Sequence, residues 1–151
     1  ATVEAFTYPE AFEAANGRKK LADGVYAGQQ KRSNFGLVYV TKIGNDTDND
    51  SHGEKIHVIY NAQVSPSEKQ YQTTNENPDA ITFSWELNTT PVNVTGADPT
   101  SYFEFDSTKI TEAKWQLLCD KLFGTDPAEG ATGTGTAPTL PDPDTLIDLV
   151  D

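Results

Sequence analysis

The chain has a single cysteine, Cys119, and no methionine. One thiol cannot close an intrachain disulfide, so packing and hydrogen bonds must hold the fold. Long apolar runs are missing too. Nothing approaches the ~18 consecutive apolar residues of a membrane span, and the N-terminus lacks the basic-then-apolar pattern of a secretory signal. With Ala1 standing where removal of an initiator Met would leave it, the expectation is a soluble protein made in a cytoplasm, with no membrane partner. Positive charge is also scarce: 11 Lys and Arg against 23 Asp and Glu, a net charge of −12. Such a surface repels phosphate, which argues against a nucleic-acid-binding module or a binder of anionic lipid. It does not argue against a wall past which DNA slides without sticking.

What is present is size enough for one core and a strong β pattern. At 151 residues the chain is one domain long, with 20 Gly and Pro that call for substantial loops and arms. In "ITFSWELNTTPVNV", Ile81, Phe83, Trp85 and Leu87 alternate with Thr82, Ser84, Glu86 and Asn88. That period of two marks a half-buried strand with one apolar and one wet face. Pro91 cannot donate a ladder hydrogen bond, so the run bends there or lies at an edge. "GLVYVTKI" (36–43) and "KIHVIYNAQV" (55–64) are clear strands, and in the second Ile56, Val58, Tyr60, Ala62 and Val64 share a face. "GNDTDNDSHGE" (44–54) reads as a long exposed hairpin loop, "SPSEKQYQTTNENPD" (65–79) as a polar connection, and "YFEF" (102–105) as a short strand. "TYPEAFEAANG" (7–17) predicts a short helix that Gly17 closes. A clearer helix spans 111–123, with Thr111 as its cap, an apolar stripe of Trp115, Leu118, Cys119, Leu122 and Phe123, and Gly124 as its stop.

The organisation this implies is an N-terminal arm over 1–35, a β domain over 36–124, and a Gly/Thr/Pro linker with a C-terminal arm over 125–151. The fold class is α+β, β-dominated. Residues 1–36 carry net +1, whereas 125–151 hold six acids and no base. That tail is either solvated or an arm docking on the "GRKK" or "QQKRS" of another copy.

Catalytic and metal patterns are sparse. His52 and His57 lie in no triad spacing and read as satisfied histidines; Cys119 sits on an apolar stripe, where a thiol acts as a small hydrophobe. Asp46, Asp48 and Asp50 alternate as calcium ligands do, but Ser51 and His57 occupy the positions where an EF-hand needs Gly and Glu. Four Asn-X-Ser/Thr triplets carry no weight without a secretory signal. There is no phosphate loop and no dinucleotide glycine pattern. Trp85 and Trp115 are expected to pack the helix on the sheet, with a sugar-stacking surface as the other reading. No cofactor or metal is implied, and the chain is not expected to be an enzyme.

Three segments in order carry a resemblance: "KIHVIYNAQVSPSEKQYQTTNENPDAITFSWELNTTPVNV", "SYFEFDSTKITEAKWQLLCDKLFG" and "TLPDPDTLIDLV". From Lys55 to Asp151 the chain resembles the major tail (tail tube) proteins of long-tailed bacteriophages, which show a similar "fsWe…ttPv" strand, an "iDst" lead into a helix ending "LyG", and a terminal "LPlPdev". The resemblance implies a β-sandwich or half-barrel of antiparallel strands with one packing α-helix and two arms, assembled as hexameric rings stacked into a tube for DNA ejection. Ile81, Phe83, Trp85 and Leu87 would press on Trp115, Leu118 and Leu122, while Thr82, Ser84, Glu86 and Asn88 face the lumen. Asp46, Asp48 and Asp50 in the loop, and Leu146, Ile147, Leu149 and Val150 in the C-terminal arm, would contact neighbouring subunits or the next ring. On that view, deleting 137–151 spoils assembly without unfolding the domain. The implied partners are further copies of the chain, the tail tape measure protein and the distal and terminator tail proteins, with viral DNA passing unbound. The implied location is the virion, assembled in the host bacterial cytoplasm. The rivals are a β-sandwich binding or adhesion module, aided by calcium at the loop aspartates, and a hydrolase with a scattered site.

Overall fold

Apolar–polar alternation governs the strands, and the chain crosses three times between two packing units. In the computed structural model, which describes residues 1–65, 82–127 and 134–151, the chain forms two units: Ala1–Phe35 with Asn61–Thr90, and Gly36–Tyr60 with Pro91–Asp151. Two of the crossings have a visible cause. Asn61 adopts φ 52°, a left-handed conformation that Asn tolerates better than most residues. Pro91 ends the ladder because it has no N–H to give.

In the first unit β1 (Thr2–Ala5) leads into a 3-10 turn at Glu10–Glu13 and a hairpin of β2 (Lys19–Ala22) and β3 (Val25–Ala27). β4 (Phe35–Asn45) begins at the boundary and runs on in the second unit, while β5 (Asn49–Val64) gives its last four residues to the first. β6 (Phe83–Thr89) pairs antiparallel with β1 (Val3 opposite Trp85) and with the end of β5 (Val64 opposite Leu87). Its core is built around Trp85, only 2% exposed. Tyr8 and Phe12 meet the indole edge-on at 5.3 and 5.2 Å, and Phe83 stacks beside it at 5.7 Å. The indole N–H donates to Asn16 Oδ1 at 3.2 Å.

The second unit places β5 between β4 and β9 (Tyr102–Asp106), with Ile56 opposite Phe105 and Val58 opposite Phe103. β7 (Val92–Val94) and β8 (Ala97–Thr100) form a separate hairpin. α1 (Glu112–Phe123) and α2 (Pro143–Val150) complete it. Ile56, Val58, Tyr60 and Phe105 form one core with Trp115, Leu118 and Leu122 from α1 and Leu146 from α2. Burying a Leu such as Leu118, at 0% exposure, stabilises by about 1.5–3 kcal/mol.

The β-dominated α+β class, the antiparallel strands, the strands at 36–43, 55–64 and 102–105, and the helix at 111–123 are all present. Thr111 stands at the N-cap with extended backbone but makes no side-chain cap bond, and Gly124, φ 77°, closes the helix. Several expectations need correction. Residues 1–35 are not an arm, because they supply Tyr8 and Phe12 to the core around Trp85. Phe83, Trp85 and Leu87 accordingly belong to the first unit, whereas Trp115, Leu118 and Leu122 pack on Ile56, Val58 and Tyr60 in the second. Ile81 lies outside the described residues, as do 66–80. The run 81–94 is not one strand; it breaks at Thr90-Pro91 into β6 and β7. The helix at 7–17 shrinks to a 3-10 turn.

The expectation for the C-terminal arm also needs correction, since the described residues form two α-helices rather than one. Asp142 caps α2 by accepting from the Thr145 N–H at 3.1 Å, and Pro143 opens its first turn. Leu146 is 1% exposed in this chain's own core, and Leu149 and Val150 pack against it. The apolar surface of Leu146 is already used within this chain, while Leu149 and Val150 are partly covered by the same core, and deleting 137–151 would remove part of that core. Only Ile147, at 36% exposure, turns outward.

Candidate functional surfaces

The polar face of β6 follows directly from its alternation. Ser84, Glu86 and Asn88 are exposed, as is Thr82 just before the strand. Directly paired residues of antiparallel strands share a face, so Thr2 and Glu4 of β1 join Glu86 and Ser84, and Gln63 of β5 joins Asn88. Asn34 Nδ2 donates to Asn61 Oδ1 at 2.5 Å, and Gln63 Nε2 donates to Asn34 Oδ1 at 3.1 Å. This face is made of hydroxyls, amides and two carboxylates, with no Lys or Arg among the paired positions.

In the second unit, β5 residues of the opposite parity to the core build a different surface. His57 is 8% exposed, with Tyr39 of β4 stacked on its ring at 4.6 Å and Tyr102 of β9 at 6.0 Å. Its Nε2 meets Thr41 Oγ1 at 2.8 Å and its Nδ1 meets Tyr102 Oη at 2.7 Å. The Tyr102 hydroxyl donates to Glu104 at 3.1 Å, and Lys55 donates to the other Glu104 oxygen at 2.6 Å. The Lys55 hydrogen bond holds the Glu104 carboxyl below its ordinary value, while partial burial, then Glu104, push the Tyr102 phenol up. His57 is thus a satisfied histidine, as expected, and it lies inside the sheet. The cross-strand ladder was not legible in sequence, because Tyr39, His57 and Tyr102 are adjacent only through strand register.

A shallow groove of about 440 Å³ lies beside this sheet, lined by Val40, Lys42, Glu54, Ile56, Cys119 and Phe123. Burial raises the Cys119 thiol above its ordinary value, which suits a small hydrophobe rather than a nucleophile. The acidic loop is much shorter than its composition suggests, since β4 runs to Asn45 and β5 starts at Asn49. Asn45 Oδ1 accepts from the N–H groups of Thr47 and Asp48, and Asn45 Nδ2 and His52 hold the Asp48 carboxylate at 3.0 and 3.2 Å. The Asn45 contact, then His52, lower the Asp48 pKa. Asp46 is exposed, and the Asp50 side chain lies outside the described atoms. Among the described residues no three His, Cys, Asp or Glu side chains gather as a metal site, and no helix is long and apolar enough to cross a membrane.

No known protein family, curated protein or solved structure matches this chain.

Proposed function

We propose that this chain is a structural virion protein: the tail tube subunit of a long-tailed bacteriophage, polymerising into stacked hexameric rings. The observation that carries the reading is the β6 face, where Thr82, Ser84, Glu86 and Asn88 stand exposed beside Thr2, Glu4 and Gln63. Turned toward a lumen, that face gives DNA no cationic partner and adds repulsion through Glu4 and Glu86. The apolar parity of the same strand faces the aromatic core, the alternation that large barrels use to keep a channel wet. The ordered resemblance from Lys55 to Asp151 supports the same reading. The role is passive: a conduit, with no bond made or broken. Further copies, a tape measure protein and distal and terminator proteins are its partners, in a virion assembled in the bacterial cytoplasm.

Negative-stain electron microscopy with light scattering at rising concentration tests this. Rings or tubes with a central channel are expected, and a strictly monomeric particle at every concentration counts against it. Exposed Tyr39 and Tyr102 on the His57 ladder favour, as the second reading, a binding or adhesion module. That module would stay monomeric, and a glycan or peptide ligand would perturb tyrosine fluorescence.

A further inference from the structure

We propose that the β2–β3 hairpin of one copy docks on the outward face of α2 in a second copy; this rests on the self-assembly reading above. All four residues of β2 are exposed. Its register slips between Lys20 and Ala22, which leaves Leu21 as a bulge, 65% exposed, near Val25 at 51%. Bulges re-aim side chains, and here the re-aimed side chain is a leucine in water. A lone two-stranded hairpin is marginally stable. This one is braced by the Arg18 guanidinium 4.9 Å from the Tyr26 ring centre and by Lys20 between Glu10 and Asp23, 3.0 Å from each. Neither contact covers Leu21.

Charge selects the occupant. Residues 17–32 hold Arg18, Lys19, Lys20, Lys31 and Arg32 against one acid, Asp23. Among the described residues Lys19 and Lys31 make no ion pair. The second unit carries five bases against fifteen acids, net −10. Its α2 shows Asp144, Ile147, Asp148 and Asp151 at i, i+3, i+4 and i+7, one stripe, while Pro143 and Leu146 turn into the core. Asp144 is engaged by the Thr95 N–H and hydroxyl, each at 2.8 Å. Asp148 and Asp151 are exposed, with no side-chain ion pair among the described residues, although the Lys114 ammonium donates to the Asp151 main-chain oxygen. The stripe therefore offers an apolar contact, Ile147, beside two carboxylates, the counterpart of Leu21 on the strand that carries Lys19, with Lys31 in the basic segment that follows the hairpin.

Hairpin and α2 are different patches, so their contact is heterologous. Repeated from copy to copy, such a contact closes into a ring or runs on as a filament.

The test is sedimentation velocity of the full chain over rising concentration, with electron microscopy of the same samples and circular dichroism to check folding. Lys19→Glu with Lys31→Glu should raise the concentration needed for association by about tenfold, as should Asp148→Lys with Asp151→Lys. Combining all four should restore it, because the charges are swapped. Independently, Leu21→Cys with Ile147→Cys in a Cys119→Ala background should give disulfide-linked oligomers on oxidation. If both charge-reversed proteins form tubes at the wild-type concentration, this docking is wrong while the tail tube reading stands. A wild-type chain that stays monomeric even at millimolar concentration overturns both.

Discussion

The two units solve the same packing problem with different side chains. The first is centred on rings: Tyr8, Phe12, Phe83 and Trp85 meet within 5.2–5.8 Å, mostly edge to face. The second is mainly aliphatic, with Ile56, Val58, Leu118, Leu122 and Leu146 at 0–4% exposure under two helices. The described residues of the first unit form only a 3-10 turn and strands, which offer little backbone to fill space, so large rings must do it. Helices present dense stripes, and Leu and Ile then suffice. The difference also separates the charge: six bases against eight acids in the first unit, five against fifteen in the second. Trp85 and Trp115 report on one unit each.

Removing the ring at the centre of the first unit is the harshest test of the contrast. Trp85→Ala should cost about 3–5 kcal/mol, because the cavity is large and the Asn16 amide loses its donor. Urea unfolding followed by Trp115 fluorescence would show whether the damage reaches the second unit. A loss below about 1 kcal/mol would mean the rings are not its core.

The aliphatic unit should yield slightly less per residue. Leu146→Ala is expected to lose about 2–5 kcal/mol, and deleting 137–151 should abolish the cooperative transition seen by far-UV circular dichroism. A truncated chain with wild-type stability would restore the picture of a free arm. Asp142→Ala touches only the cap of α2 and should cost about 1 kcal/mol; Asp142→Asn, which retains the acceptor, should recover most of it.

The smallest effect near neutral pH is in the Tyr60 phenol, which donates to the Pro141 carbonyl at 2.8 Å. Burial, with Asp142 nearby, pushes its pKa up from 10.0 to about 12. Below pH 10 both folded and unfolded chains keep this proton, so its stabilisation is complete. Between about 10 and 12 the unfolded chain loses the proton first, and stability should fall as pH rises. Denaturation midpoints measured across that range should fall less steeply in Tyr60→Phe; parallel curves would exclude Tyr60 as the source.

The strands were legible because period-two alternation is local: Ile56, Val58, Tyr60, Ala62 and Val64 are all buried, as their spacing requires. α1 was legible for the same reason, its stripe and its closing glycine lying within thirteen residues. α2 was missed although Asp142-Pro143 is a sound start signal, because eight residues show too little periodicity. The polar face of β6 could be read directly, whereas the Tyr39–His57–Tyr102 ladder could not.

The amino-acid order alone therefore determined where strands and the longer helix form, which side of each is apolar, and that the surface is acidic. Tertiary structure decided which apolar faces meet. Trp85 went to Tyr8 and Phe12 instead of to α1, Leu146 turned inward instead of onto a neighbour, and His57 came to lie between two tyrosines. Alternation specifies a face but not its partner; the partner is set by register and by long-range closure, which no local spacing encodes.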